Sequence, residues 1–229
     1  MDPARADARP CPRRVSAPHD HGMTRPLHVL IIESHPGAAA DAARALEAAG
    51  HTTSRCHDDD SHGFPCRGVL DPAACPLDGH LDVALLVRRR IAPRPTPLEH
   101  GVSCAIRAGV PLVELGPDVF DPYEPWLAAR ADGGADVVAT CEAVGGAALD
   151  DLRRAILRVA SPLLTGLGLS PHEVACRVEH GAARLHVCFD LPLAVGPGIE
   201  QALAVRVLDA VRTVGRTYGA VGVSVHGQG

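Results

Sequence analysis

Leu27-His28-Val29-Leu30-Ile31-Ile32 is a short apolar run rich in branched side chains, and such a run is typical of a buried strand in a parallel sheet. Four further runs predict strands at residues 51–56, 82–87, 110–115 and 136–140. Helical patterns lie between several of these strands and after the last one. Because strands alternate with helices, we expect an α/β fold, here a doubly wound, five-stranded parallel sheet over residues 27–160.

The predicted helices have clear boundaries. Pro36 stands in the first turn of an alanine-rich helix, and Gly50 ends it. A second helix is predicted at residues 98–108, with Gly109 as its stop. The last helix of the unit places four apolar side chains on one face, namely Leu149, Leu152, Ile156 and Val159.

The composition limits what the chain can do. Of its 229 residues 46% are apolar but only 3% are aromatic, so that the core must consist mainly of Val, Leu and Ala. A net charge of −5 argues against a general nucleic-acid binder. None of the 22 basic residues is lysine, which excludes the P-loop, the Schiff base and the pyridoxal-phosphate anchor. We find no nucleophile–base pair and no carboxylate pair to place, and therefore do not expect an enzyme.

The ends and the cysteines bear on the compartment. An all-arginine, alanine-rich composition favours a high-GC bacterial genome. We expect residues 1–26 to be a disordered or non-native tail, and Met23 is a candidate for the true start. No segment approaches the ~20 apolar residues that span a bilayer. We therefore expect a cytoplasmic protein whose eight cysteines stay reduced.

The first unit resembles the receiver domain of bacterial response regulators. Three stretches carry the resemblance: Val29-Leu30-Ile31-Ile32-Glu33 at the first strand, Ala45-Leu46-Glu47-Ala48-Ala49-Gly50-His51 after it, and Gly134-Ala135-Asp136 before the predicted fifth strand. The resemblance implies a flavodoxin-like sheet and a role in signal transduction.

The residues that form the phosphorylation site of a receiver are missing. The family has an acidic pair after strand one, and here Glu33 is followed by Ser34. Its phosphoacceptor Asp ends strand three, where this chain has Arg88-Arg89-Arg90. Leu115-Gly116 replaces a hydroxyl residue, and Cys141 replaces a lysine. We therefore predict a pseudo-receiver in a non-catalytic regulatory or scaffolding protein, which acts through protein partners and binds neither nucleic acid nor membrane.

The cysteines offer an alternative function. Cys56 is predicted at the end of strand two, Cys104 lies in the helix after strand three, and Cys66 and Cys75 lie in the long connection 57–80. Four thiolates suit zinc or an iron–sulfur cluster. The chain would then be a metal or redox sensor, and in the redox case a Cys66–Cys75 pair is the expected disulfide. No CxxC spacing is present, so cysteines that serve as small core residues are the other interpretation. Further candidate ligands are Cys141, His57 and His62.

Two more clusters have both a functional and a structural interpretation. Arg88, Arg89 and Arg90 could bind an anion, since guanidinium groups bind phosphate or carboxylate in a bidentate manner, or they could be a solvated loop. In either case Glu99 could pair with one of these arginines. Phe120, Tyr123 and Trp126 hold three of the six aromatic residues, and they predict either a partner-binding surface or internal packing.

Residues 161–229 are predicted to form a small α+β module in the order strand, strand, helix, strand, after a linker at Ser161-Pro162 and residues 166–168. Its long helix is expected to run from Ile199 to Tyr218. Residues 184–225 resemble the alkaline-shock-protein family of bacteria, with the turn at Gly196-Pro197-Gly198-Ile199. The resemblance implies a scaffolding module without catalytic residues. Because so small a sheet leaves an edge strand to cover, we expect a homodimer.

Overall fold

The computed structural model describes residues 25–57, 63–90, 94–116, 121–181, 184–214, 218 and 220–227. Five strands form one sheet in the order β2-β1-β3-β4-β5, and every pair in it is parallel. This is the flavodoxin-like order, and it confirms the α/β fold class. The strands are β1 His28–Glu33, β2 Thr52–Arg55, β3 Val83–Val87, β4 Leu112–Leu115 and β5 Leu127–Ala131.

The two faces of this sheet have separate apolar cores because side chains alternate along each strand. Val29 and Ile31 of β1 face α1 (Ala40–Ala48) and the first half of α4 (Val137–Gly166). Leu30 and Ile32 face the other side, where α3 (His100–Arg107) packs. A four-residue helix, α2 (Arg67–Leu70), lies in the connection between β2 and β3.

The prediction of a fifth strand at residues 136–140 is wrong. Residues Val137 onward form α4, in which Val137 and Cys141 are both buried on one helical face four residues apart. The β-branched residues Val137 and Val138 are typical of a strand, and they led to this prediction. The real fifth strand, Leu127–Ala131, lies at the sheet edge, and Ala131 is its one buried residue. A sequence so poor in large apolar residues gives little signal for a strand.

Helix α4 belongs to both units. Its first half packs on the parallel sheet, whereas Leu152, Ile156, Ala160 and Leu164 lie in the core of the second unit. The predicted linker at Ser161-Pro162 is wrong, because both residues lie inside the 30-residue helix. Pro162 is on its exposed side.

The second unit has the predicted order of strand, strand, helix and strand. Strands β6 (Ala175–Gly181), β7 (Arg184–Leu191) and β8 (Ala220–Gly227) form a sheet in that order. The first pair is antiparallel and the second is parallel, with α5 (Pro197–Thr213) as the crossover. Helix α5 is shorter than predicted, since Tyr218 lies outside it and stacks on the His80 ring at 5.4 Å between centroids. Across the described ranges, we find no helix with the length and apolarity to cross a membrane.

Candidate functional site

Glu33 supplies the carboxylate at the carboxyl end of β1, and the protein itself occupies both of its oxygens. Oε1 accepts a hydrogen bond from the backbone N–H of Gly37 at 3.1 Å, and Oε2 accepts one from Ala39 at 3.0 Å. The Arg55 guanidinium lies 3.5 Å from Oε1. These contacts fix the loop that leads into α1, so that Glu33 acts here as a loop anchor.

Arg88 follows β3 directly, and its side chain is wholly excluded from solvent. Its Nε lies 3.2 Å from Oε1 of Glu99, and its Nη1 lies 3.9 Å from Glu114 and 3.7 Å from Asp121. A second guanidinium, that of Arg130, lies 3.3 Å from Glu114 and 2.5 Å from Asp121. These five side chains form what we call the buried ion cluster. It unites the ends of β3, β4 and β5 with the turn before α3.

The buried ion cluster holds three carboxyl groups against two guanidinium groups. Burial, aided by the neighbouring Asp121 carboxyl, raises the pKa of Glu114 to about 7, although Arg130 and Arg88 act in the opposite direction. A proton on Glu114 therefore brings the cluster close to neutrality. The Tyr123 hydroxyl donates to Oε2 of Glu99 at 3.2 Å, and burial together with Glu99 raises the pKa of this phenol. The arrangement is that of a self-neutralised structural network.

The three consecutive arginines have different surroundings. Arg88 lies inside the buried ion cluster. Arg89 donates from Nε to the carbonyl of Ala38 at 3.0 Å and pairs with Asp41 at 3.1 Å, both at the start of α1. Arg90 is exposed. The predicted anion site thus has one guanidinium in the core, one on α1 and one in solvent.

The aromatic residues also separate. Tyr123 is 7% exposed and contributes to the core beside α3, whereas Trp126 is 54% exposed. Phe120 lies outside the described residues. Of the predicted partner-binding surface, Trp126 is therefore the described side chain that solvent can reach.

The structure brings the four predicted cysteine ligands into one neighbourhood. Cys56 follows β2, and its carbonyl accepts a hydrogen bond at 2.9 Å from the N–H of Arg67, the residue after Cys66. Cys75 packs on α2 so closely that a methyl group on Gly68 would lie 2.8 Å from its Cβ. Three segments distant in sequence therefore meet around Cys56, and the third of them is α3.

Helix α3 is the third segment that contacts Cys56. A Cβ on Gly101 would lie 3.3 Å from the sulfur of Cys56, and Cys104 follows one turn later on the same helical face. Burial raises the pKa of Cys56 to about 12, and the thiols of Cys66, Cys75 and Cys104 add to the rise. Each of these three thiols is thus within electrostatic reach of the Cys56 sulfur.

The other candidate ligands have different positions. His57 follows Cys56, and both line a small open cleft together with Glu33 and Arg55. Cys141 is wholly buried in α4, on the opposite face of the sheet. Cys188 on β7 is disulfide-bonded, so the expectation that all eight cysteines stay reduced is wrong for this residue. His62 lies outside the described residues. Within the described ranges, no three side chains of His, Cys, Asp or Glu are already arranged to hold a metal ion.

Sequence reasoning missed most of the buried ion cluster. The predicted pairing of Glu99 with one of the three arginines is confirmed, since Glu99 pairs with Arg88. Asp121 and Arg130 stand in stretches that look like solvated surface, and nothing in their spacing links them. One signal was available. Glu114 is the single charged residue within an apolar strand run, and a charge in a buried strand needs a partner.

The fold and its occupied strand ends define a flavodoxin-like α/β unit that shares a helix with a small α+β unit. Comparisons of the chain with protein-family models, with curated proteins and with solved structures find no match.

Proposed function

We propose that this chain is a non-catalytic regulatory or scaffolding protein whose first unit is a pseudo-receiver, a receiver-like domain that takes no phosphoryl group. The observation that carries this proposal is the place of Arg88. It stands after β3, where the resemblance requires the phosphoacceptor carboxylate, and its guanidinium is locked between buried carboxylates. A guanidinium is no nucleophile, and the neighbouring carboxylates already have cationic partners.

The neighbouring strand ends support the same proposal. After β4, where a receiver has a hydroxyl side chain, Gly116 lies so close to the Arg88 backbone that a Cβ would be 2.6 Å from its carbonyl oxygen. No side chain fits there. After β1, both oxygens of Glu33 bind the following loop, and Mg²⁺ would have to compete with two backbone N–H groups for them.

The crevice at the topological switch point is bridged by the protein itself. In open α/β sheets this crevice, between the ends of β1 and β3, is where ligands bind. Here the hydroxyl of Thr96 donates to the carbonyl of Ser34 at 2.9 Å, and Arg89 reaches the carbonyl of Ala38. The loop after β3 is thereby tied to the loop after β1, which favours a structural use of this edge over substrate binding.

A regulatory protein without phosphoryl chemistry has to act through contacts. Trp126 offers the means, because a large aromatic side chain that is 54% exposed beside the edge strand β5 is a typical anchor for a protein partner. The proposal therefore assigns partner binding to the surface around Trp126, with a second copy of the chain among the candidate partners.

The experiment is site-specific crosslinking in cells. A photoreactive amino acid replaces Trp126 in one full-length variant and Val205, an equally exposed apolar residue on α5, in the control. We expect one recurrent adduct, to a defined protein or to a second copy, from position 126 only. No adduct at all, or the same adducts from both positions, would contradict the proposed partner surface.

A further inference from the structure

Residues Glu124–Trp126 form a short 3₁₀ turn that carries the exposed Trp126 side chain, and we call it the Trp126 turn. On its core side, the backbone N–H of Trp126 donates to the carbonyl of the buried Tyr123 at 2.8 Å. On its solvent side, the carboxylate of Glu124 accepts a hydrogen bond from Nη2 of Arg130 on β5. The position of the turn therefore depends on what else Arg130 binds.

Three carboxyl groups compete for this one nitrogen of Arg130. Nη2 lies 2.5 Å from Asp121 and 3.3 Å from Glu114, in addition to its contact with Glu124. A guanidinium Nη carries two hydrogens, and it donates here to Asp121 and to Glu124. Among the described residues, neither oxygen of the buried Glu114 has a hydrogen-bond partner.

We propose that the protonation state of Glu114 decides whether Arg130 holds the Trp126 turn, so that the surface around Trp126 responds to pH. The inference rests on the proposed function only where it calls this surface a partner-binding one. The step itself is the exchange of one proton between Glu114 and solvent.

Neutral Glu114 leaves the Trp126 turn in place. A protonated carboxyl group is a donor, and the Asp121 carboxylate beside it is an acceptor, so neutral Glu114 makes no demand on Nη2 of Arg130. Burial raises the pKa of Glu114 to about 7, and both forms are therefore populated close to neutral pH. The charged and titratable groups around it are Arg88 after β3, Glu99 before α3, Asp121 and Tyr123 in the connection to β5, and Arg130 on β5.

Charged Glu114 requires a hydrogen-bond donor, because a buried carboxylate without one is strongly disfavoured. Nη1 of Arg88 is 3.9 Å away, which is too far for a hydrogen bond, whereas Nη2 of Arg130 is 3.3 Å away on the neighbouring strand. Glu124 is the weakest competitor for Nη2, since its side chain is 67% exposed and water solvates its charge. Loss of the proton from Glu114 therefore draws Arg130 away from Glu124 and releases the Trp126 turn.

The experiment uses Trp126, the single tryptophan, as the probe of its own turn. The fluorescence anisotropy of the full chain is followed on both sides of pH 7, while far-ultraviolet circular dichroism shows that the fold persists. We expect one step, in which the anisotropy falls as the pH rises, with its midpoint near 7. The infrared band of a protonated carboxyl group should disappear over the same pH range and be absent from Glu114→Gln.

Two variants separate this switch from other titrations. Glu114→Gln keeps a neutral side chain, so its anisotropy should stay at the acidic value throughout. Glu124→Ala removes an exposed side chain and with it the contact to Arg130. Its anisotropy should stay at the alkaline value, while the infrared band of Glu114 still titrates. Glu200→Gln, which changes an exposed carboxylate on α5, is the matched control and should keep the step of the parent.

Partner binding gives a separate readout. An ordered turn loses less entropy on binding, so crosslinking in lysate from position 126 should give several-fold more adduct on the acidic side of pH 7 than on the alkaline side. The yield in the Glu114→Gln background should not change with pH. Absence of any adduct at every pH would contradict the proposed function, and the anisotropy step would still decide on the switch.

Three results would overturn the proposed switch. They are an anisotropy without a step near pH 7, a step that persists in Glu114→Gln, and a step that persists in Glu124→Ala. The last of these results is decisive even if Glu114→Gln fails to fold, because Glu124 lies on the surface.

Discussion

The Nε of Arg88 lies 3.2 Å from Oε1 of Glu99, and neither side chain is reached by solvent. This pair joins the end of β3 to the turn that starts α3, at the edge where an open α/β sheet ordinarily presents its ligand-binding groups. The ion pair buries charged side chains at that edge of the sheet. Its removal should therefore be felt as lost stability.

Arg88→Met is expected to destabilise the fold by about 3–5 kcal/mol, because it leaves Glu99, Glu114 and Asp121 with one guanidinium between them. The free energy of unfolding in urea measures the effect. Arg90→Met is the matched control, since the Arg90 side chain is exposed, and exposed substitutions rarely change stability by more than about 0.5 kcal/mol. Equal losses of unfolding free energy in the two variants would show that the buried ion cluster stabilises the fold no more than an exposed arginine does.

The cluster should also make stability depend on pH through Glu114. Its pKa is raised from 4.5 to about 7 in the folded protein, so the folded state binds the proton more tightly than the unfolded state does. The stabilisation by this proton is complete below pH 4.5 and is lost as the pH rises through about 7.

Glu114→Gln keeps the neutral form at every pH and tests this dependence. The stability of the variant relative to the parent should rise between pH 4.5 and pH 7. Unfolding in urea at a series of pH values measures the difference, and exposed Glu200→Gln should show none. A relative stability that falls across this range would mean that Glu114 is ionised in the folded protein.

The shared helix α4 should couple the two units. Ile156 is wholly buried in the second unit, and Ile156→Ala is expected to cost about 2–5 kcal/mol. Trp126, the single tryptophan, lies in the first unit and reports on that unit by fluorescence. The variant should shift the fluorescence and far-ultraviolet transitions equally, whereas exposed Arg154→Ala should shift neither by more than about 0.5 kcal/mol. A fluorescence transition unmoved by Ile156→Ala would indicate that the units unfold independently.

Thiol reactivity should separate the cysteines into two groups. Cys66, Cys75 and Cys104 are partly exposed, whereas burial raises the pKa of Cys141 to about 12 and that of Cys176 to about 11. Iodoacetamide at neutral pH should therefore label the first three in the folded protein and spare the other two. Peptide mass spectrometry gives the order of labelling. Early labelling of Cys141 would contradict its burial under α1.

The fold class could be predicted from the sequence because the β1 run Val29 to Ile32 is apolar on both faces, which is typical of a strand with helices on both sides of its sheet. The fifth strand was predicted at the wrong residues because two segments carried misleading local patterns. Residues Leu127–Ala131 form a mostly unburied edge strand with small side chains, while the branched residues at 137–138 are buried by helical packing.

The two site regions differed in how far they could be foreseen. The convergence of Cys56, Cys66 and Cys75 followed from strand ends and one overlong connection, features that are visible along the chain. Of the partners of Arg88, Glu99 was predicted, but Asp121 was not visible, because it meets Arg88 only through the packing of loops. Buried charge networks of this kind depend on tertiary geometry that no local pattern encodes.

Phosphorylation tests whether the strand ends of the first unit are structural, as proposed. The full chain is incubated with acetyl phosphate and Mg²⁺ beside an active receiver domain, and the intact mass of each is measured. We expect the active receiver to gain one phosphoryl group and this chain to gain none, because Arg88 lies within its carboxylate network. A stoichiometric, acid-labile phosphoryl adduct on this chain would show that its strand ends do accept a phosphoryl group and that the proposed function is wrong.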